Sequence, residues 1–207
     1  MTTAKDLFII TMHPRPERSV GQGDLSLALA GAELIDLIDA GTVTVDDDRI
    51  VPGEPSAAED RLLGEAAALL TRQPPHELIE DWLWRRGRDL SAAYQAALEE
   101  DGELTRKRSG RLPFGPERVE PADTPARRGA AERREAREPV LAALASAVGV
   151  EGDRPESAED AEGEPGLGGE AVTAVVTAVH DAVMELEAVR QRRTIENSAF
   201  ANLWRGP

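Results

Sequence analysis

LSLALAGAELIDLIDAG, Leu25–Gly41, carries three charged side chains, Glu33, Asp36 and Asp39, in a run otherwise built of leucine, isoleucine, alanine, glycine and one serine. Nothing in it breaks a helix before Gly41. Asp24 has the chemistry of an N-cap and Gly41 that of a C′ residue, so the stretch predicts a helix over residues 24–40. The acidic residues recur every third position and are expected to form one narrow, solvated polar stripe. The rest of the circumference is aliphatic or small, as in a helix packed among other helices. Ala28, Ala30, Gly31 and Ala32 would let neighbouring backbones approach closely.

A second helix of this kind lies near the other end, in EAVTAVVTAVHDAVMELEAVRQRR. Val172, Val175, Val176, Val179, Val183, Leu186 and Val189 keep helical spacing throughout, predicting a core helix about 36 Å long at 1.5 Å per residue. Leu25–Ala40 and Ala171–Val189 are expected to pack against each other at the centre of the fold. Between them, TVTVDDDRIV reads as a hairpin with its turn in the Asp run. Ser56–Glu59, SAAE, reads as a capping box opening a helix with Leu62, Leu63, Leu69 and Leu70 on its apolar side. After Pro74 and Pro75, a helix carries Leu78, Ile79, Trp82 and Leu83 and breaks near Gly87. Another carries Leu90, Ala93, Tyr94, Ala97 and Leu98 and ends at Gly102. A charged helix from about Thr124 to Glu138 restarts at Pro139, with Val140, Leu141, Leu144 and Val148 on its apolar face.

The fold class is therefore mainly α: two central apolar helices, shorter amphipathic helices around them and one or two small β-hairpins. Residues 1–149 form the helical domain. Residues 150–169, acidic and rich in Gly, Pro and Ser, are expected to be a disordered linker. Residues 170–207 return the last core helix to the same domain and add a short tail. A length of 207 residues suits one such domain. With no cysteine, disulfides, thiolate nucleophiles and zinc–thiolate clusters are excluded. No apolar run approaches the roughly 20 residues of a membrane span, and Leu7–Met12 is too short for a secretory signal, so a cytoplasmic, soluble chain is expected.

The formal charge of -15 argues against nucleic acid as a partner. Yet Arg85–Arg137 holds 13 Lys and Arg against 10 Asp and Glu. Either this basic island consists of helix-surface ion pairs, or it is an anion-facing surface. ELTRKRSGRLPFGPERVEP, Glu103–Pro121, reads as a hairpin or extended loop with an apolar tip. In it, Leu112 and Phe114 either tuck into the core or stand out. No catalytic grouping can be assembled from this sequence. His76 and Glu80 sit at i, i+4, but a metalloprotease helix needs a second histidine where Glu80 stands, so no metal or cofactor is expected.

The order of these pieces resembles the Golgi phosphoprotein 3 family in its bacterial branch. The resemblance rests on DLFII, a glycine-bearing loop, LALAGAELIDLIDAGTVTV, DWLWRR and AALEEDGELTRKRSGRLPF. It implies a non-enzymatic peripheral membrane protein on the inner face of the membrane. Phosphatidylinositol 4-phosphate or another anionic lipid headgroup would be its partner, together with a protein client the sequence does not name. The lipid-binding candidates are Arg88, which falls on a family pocket position, Arg85 and Arg86 close by, and Arg106, Lys107, Arg108 and Arg111 of the basic island; by resemblance, the apolar tip with Leu112 and Phe114 inserts into the bilayer. The family's headgroup pocket uses a Trp, an Arg and a helix pair of Arg. Those positions fall here on Gly21, Ala30, Arg88 and Ser91. Weak self-association through residues 103–119 is also implied. A second class of function remains: a soluble helical interaction or scaffold domain that kept the fold and lost the lipid.

Overall fold

The computed structural model describes residues 2–12, 20–54, 60–108, 117–150 and 167–203, with side chains for these apart from 107–108, 117–118 and 198–203. The capping box at 56–59, most of the acidic linker and the hairpin tip lie outside the described residues.

Helix α2, Gln22–Asp39, is the axis of the fold. From Leu25 to Ile35 every residue on it is buried. It starts two residues earlier than expected, with Gly21 as its N-cap, because Asp24 is committed elsewhere: both its oxygens accept from Arg190 Nη1 at 2.7 Å. At the other end Gly41, at φ +68, takes the left-handed position, and the Gly41 and Thr42 amides donate to Ile38 and Leu37 carbonyls. Helix α8, Glu170–Leu203, packs antiparallel along α2, burying Val172, Val175, Val179, Ala182 and Val183. Gly31 lies directly under Val179: a Cβ built there would stand 2.3 Å from Val179 Cγ2. The central pair is as expected, but α8 runs 34 residues, well past Val189.

A third apolar helix completes the core. Helix α1, Thr3–Thr11, spans the run whose residues assigned no element. Leu7, Phe8, Ile9 and Ile10 are all at most 2 % exposed. Its N-terminus is held from afar, since the Thr3 and Ala4 amides donate to the two Asp36 oxygens at 2.9 and 3.2 Å. The supposed solvated stripe of α2 is thus mostly internal. Asp36 caps α1, Glu33 is 0 % exposed, and only Asp39 faces solvent.

Strands β1, Val43–Asp46, and β2, Arg49–Pro52, form the first hairpin, with Asp47 and Asp48 both at positive φ in its two-residue turn. Helix α3 is Arg61–Ala68, capped by Asp60. It buries Leu62 and Ala66, whereas Leu69, expected on its apolar side, follows the helix and is 47 % exposed. Helix α4, Ile79–Arg86, buries Ile79, Trp82 and Leu83. Leu78 precedes it in a bridge to Arg49, and the Trp82 indole donates to the Ala30 carbonyl at 3.1 Å. Helix α5, Leu90–Glu100, buries Tyr94 and Leu98, while Ala93 is exposed. Strands β3, Leu104–Arg108, and β4, Glu117–Pro121, pair antiparallel. Helices α6, Pro125–Glu135, and α7, Pro139–Ala147, each begin with proline at the first position. Among the described residues no helix is long and apolar enough to cross a membrane.

Candidate functional site

Arg85, Arg86 and Arg88 come from the last turn of α4 and the turn that follows it, and the structure sends them in three directions. Arg86 points inward. Its Nε and Nη2 donate to the two Glu33 oxygens at 2.7 and 2.8 Å, and the Tyr94 hydroxyl adds a third bond at 3.1 Å. Burial pushes the Glu33 carboxyl above its ordinary range, and the Arg86 guanidinium pulls it back. Burial also raises the Tyr94 hydroxyl, with the Glu33 charge beside it adding to the effect. With its side chain only 11 % exposed, Arg86 is a counter-ion for the core rather than part of an outer surface.

Arg85 faces outward but is also engaged. It makes a bidentate pair with Glu77 at 2.7 Å, donates to the Leu69 carbonyl and lies 5.2 Å over the Trp82 ring. Arg88 is exposed and makes no ion pair among the described residues. It sits in the α4–α5 turn, beside the first turns of α2, where the Ser91 amide donates to Ser26 Oγ at 3.0 Å.

In the hairpin, Arg106 pairs with Glu99 of α5 at 2.7 Å. Lys107 stands opposite Arg118 in the register, and Arg108 opposite Glu117. Arg111, Leu112 and Phe114 lie outside the described residues. The base is fixed by buried Leu104 and by the Ala122 amide donating to the Glu103 carbonyl. Among the described side chains, Arg85, Arg86, Arg88 and Arg106 do not converge on one centre. Two classes emerge: arginines neutralised by carboxylates (Arg85, Arg86, Arg106), and Arg88, which is open.

The expected pocket positions are equally spread. Ala30 is fully buried and Ser91 is 8 % exposed. A Cβ at Gly21 would lie 2.4 Å from Asp24 Oδ2 and 3.3 Å from Arg190 Nη1, so the Asp24–Arg190 pair fills that corner.

Several functional-looking groups went unassigned from sequence. Asp6, 0 % exposed, accepts from Arg133, which also reaches Thr3 and Glu138. Burial raises the Asp6 carboxyl against the pull of Arg133. The Asp36 carboxyl is pushed up to about 6, burial outweighing the α1 amides that favour its charge. A charge lodged inside an apolar run, as in KDLFII and LAGAELI, is the signal that marks such residues. A groove of about 640 Å³ also runs along α8 and the start of α4, rimmed by Asp48, Glu80, Asp181 and Glu185. Among the described residues no three His, Cys, Asp or Glu side chains come together to hold a metal ion.

The sequence model of Golgi phosphoprotein 3 (GPP34) matches residues 4–193, from the first buried residues of α1 into the exposed part of α8. This chain belongs to the Golgi phosphoprotein 3 family. The match takes in α1, the α2–α8 pair and both hairpins, so the family assignment covers the elements that build the core. It stops before the last turns of α8. A comparison with curated proteins finds no match.

Proposed function

We propose that this Golgi phosphoprotein 3 family member is a non-enzymatic peripheral membrane module that binds anionic lipid headgroups. The observation that carries the reading is the β3–β4 hairpin. Held at its base by Leu104, it sets Arg106, Lys107 and Arg108 on one strand and Arg118 on the other, and the sequence between the two strands holds Arg111 and Leu112-Pro113-Phe114. Lys107 and Arg118 share a rung, an arrangement of like charges that an anionic surface relieves. Each basic residue near an anionic leaflet contributes about 1 kcal/mol, screened over a Debye length of roughly 8 Å at physiological salt. Arg88 supplies a further open cation at the α4–α5 turn.

Co-sedimentation with phosphatidylcholine vesicles, with and without phosphatidylglycerol or phosphatidylinositol 4-phosphate, tests the reading. Binding should require anionic lipid, weaken as salt rises and weaken again in Arg108→Glu/Arg111→Glu. Arg88→Ala should lower affinity for phosphatidylinositol 4-phosphate alone if that headgroup is recognised. Equal background recovery with neutral and anionic vesicles at low salt would leave the second reading, a soluble interaction domain. That reading is favoured by the carboxylates already paired with Arg85, Arg86 and Arg106.

A further inference from the structure

We propose that the groove between α8 and the start of α4 is a docking surface for a basic amphipathic helix of a partner protein. Its residues are not those of the lipid reading, and neither proposal needs the other.

The groove encloses about 640 Å³. Ala174, Ala178 and Ala182 stand four residues apart on α8, and with Leu78 and Ile79 they make an apolar floor. Side chains this small let a second helix approach to the near end of the usual interaxial range of about 8–10 Å. Glu170, Asp181 and Glu185 line the groove from α8, Asp48 from the β1–β2 turn and Glu80 from α4. All five are exposed, and none has an ion pair or side-chain hydrogen bond among the described residues. No lysine, arginine or histidine lines the groove among the described residues. Arg49, next to Asp48 in the chain, is turned to the His76 carbonyl at 2.6 Å.

Unpaired carboxylates around an apolar floor fix the chemistry of the occupant: apolar side chains for the floor, with lysine or arginine flanking them. An anionic bilayer is repelled by this face. Backbone groups at the groove are already used. The Ile79 amide donates to the Asp48 carbonyl and the Ile50 amide to that of Glu77, while α8 satisfies its own. An occupant therefore has to satisfy its own backbone hydrogen bonds, which a helix does and an extended strand does not. Between Glu170 and Glu185, α8 runs about 22 Å at 1.5 Å per residue, room for about four turns of a helix laid alongside it. A second copy of the chain is a poorer occupant, since α6, with its four arginines, already turns Ala126 and Ala130 into its own core.

The test uses the full chain and a labelled synthetic helical peptide with a leucine stripe flanked by lysines, beside a control peptide with glutamate for lysine. The lysine peptide should bind, the glutamate peptide should not, and amide exchange should slow in α8 between Thr173 and Glu185. Asp181→Lys/Glu185→Lys alters only exposed positions, so its thermal unfolding should match that of the wild type. Its affinity for the lysine peptide should fall by roughly tenfold or more. Thr177→Trp, which fills the groove without changing its charge, should weaken binding as well. Glu132→Lys/Glu135→Lys makes the same charge change at exposed positions of α6 and should leave the affinity within about twofold. If the α8 and α6 charge reversals lose affinity alike, or Thr177→Trp binds like wild type, diffuse charge holds the peptide and the inference is overturned. Failure of the lysine peptide to bind overturns it too. If light scattering without peptide shows a mass that falls in Asp181→Lys/Glu185→Lys, the groove holds a second copy and the inference is likewise overturned. Vesicle binding is read separately, so a failure here leaves the proposed function standing, and an absence of vesicle binding leaves this inference standing.

Discussion

Gly31→Ala is the most exacting test of the α2–α8 packing. The new methyl would stand 2.3 Å from Val179 Cγ2, with Val175 Cγ1 at 3.6 Å and Leu83 Cδ2 at 3.7 Å. Ordinary contact begins near 3.4 Å, so about 1 Å of separation is needed. A helical valine is held to one χ1 rotamer, so Val179 cannot swing aside and α8 must move as a body. A gap of 0.5–1 Å forfeits about a quarter to a half of each dispersion contact. Val175 and Val179 are each worth roughly 1.5–3 kcal/mol when buried, and Val172, Ala182 and Val183 share the interface. The loss is then about 3 kcal/mol, against a gain of about 1 kcal/mol from alanine's helix propensity. A net destabilisation of about 2 kcal/mol should move the urea midpoint, followed by circular dichroism, by about 1 M at unchanged slope. Val179→Ala alone should cost about 2 kcal/mol, yet in the Gly31→Ala background it should cost little, because it removes the colliding methyls. A Gly31→Ala protein as stable as wild type, or additive losses in the double variant, would refute this account of the core.

Arg86→Ala should destabilise by about 3–5 kcal/mol, because it strands the Glu33 carboxylate in the core. Arg85→Ala, at an exposed pair, should cost less than about 1 kcal/mol, and equal midpoints for the two variants in urea would contradict the inward placement of Arg86. Asp36 titrates near 6 in the fold against an ordinary 3.8, so the folded state binds the extra proton between those values. Wild type should therefore lose stability relative to Asp36→Asn as pH rises from about 4 to about 6, and the difference should level off above that. A pH-independent difference in urea midpoints would mean that Asp36 is not buried against α1.

The local signals in this chain were sufficient for much of the fold. Seven valine and leucine positions in helical register assigned α8, Gly41 ended α2, and the aspartate run supplied the β1–β2 turn at Asp47 and Asp48. Each depends on φ/ψ preference or on periodicity within a few residues, which a sequence displays directly. Helix α1 carried no such signal: it is nine residues long and its apolar residues fall on all sides. Such a segment is helical only because the rest of the core covers it and Asp36 caps it from 33 positions away.

Polar side chains show the same division more sharply. Glu33, Asp36 and Asp39 share one spacing, and spacing alone cannot separate a charge facing water from one facing a partner. Tertiary structure decided it, bringing Arg86 to Glu33 across 53 positions and the α1 amides to Asp36, and leaving Asp39 exposed. The basic island was legible as composition, but which of its arginines are already paired was not. A buried charge requires a counter-charge at about 3 Å, and only the folded chain, through contacts between distant residues, determines which one meets it.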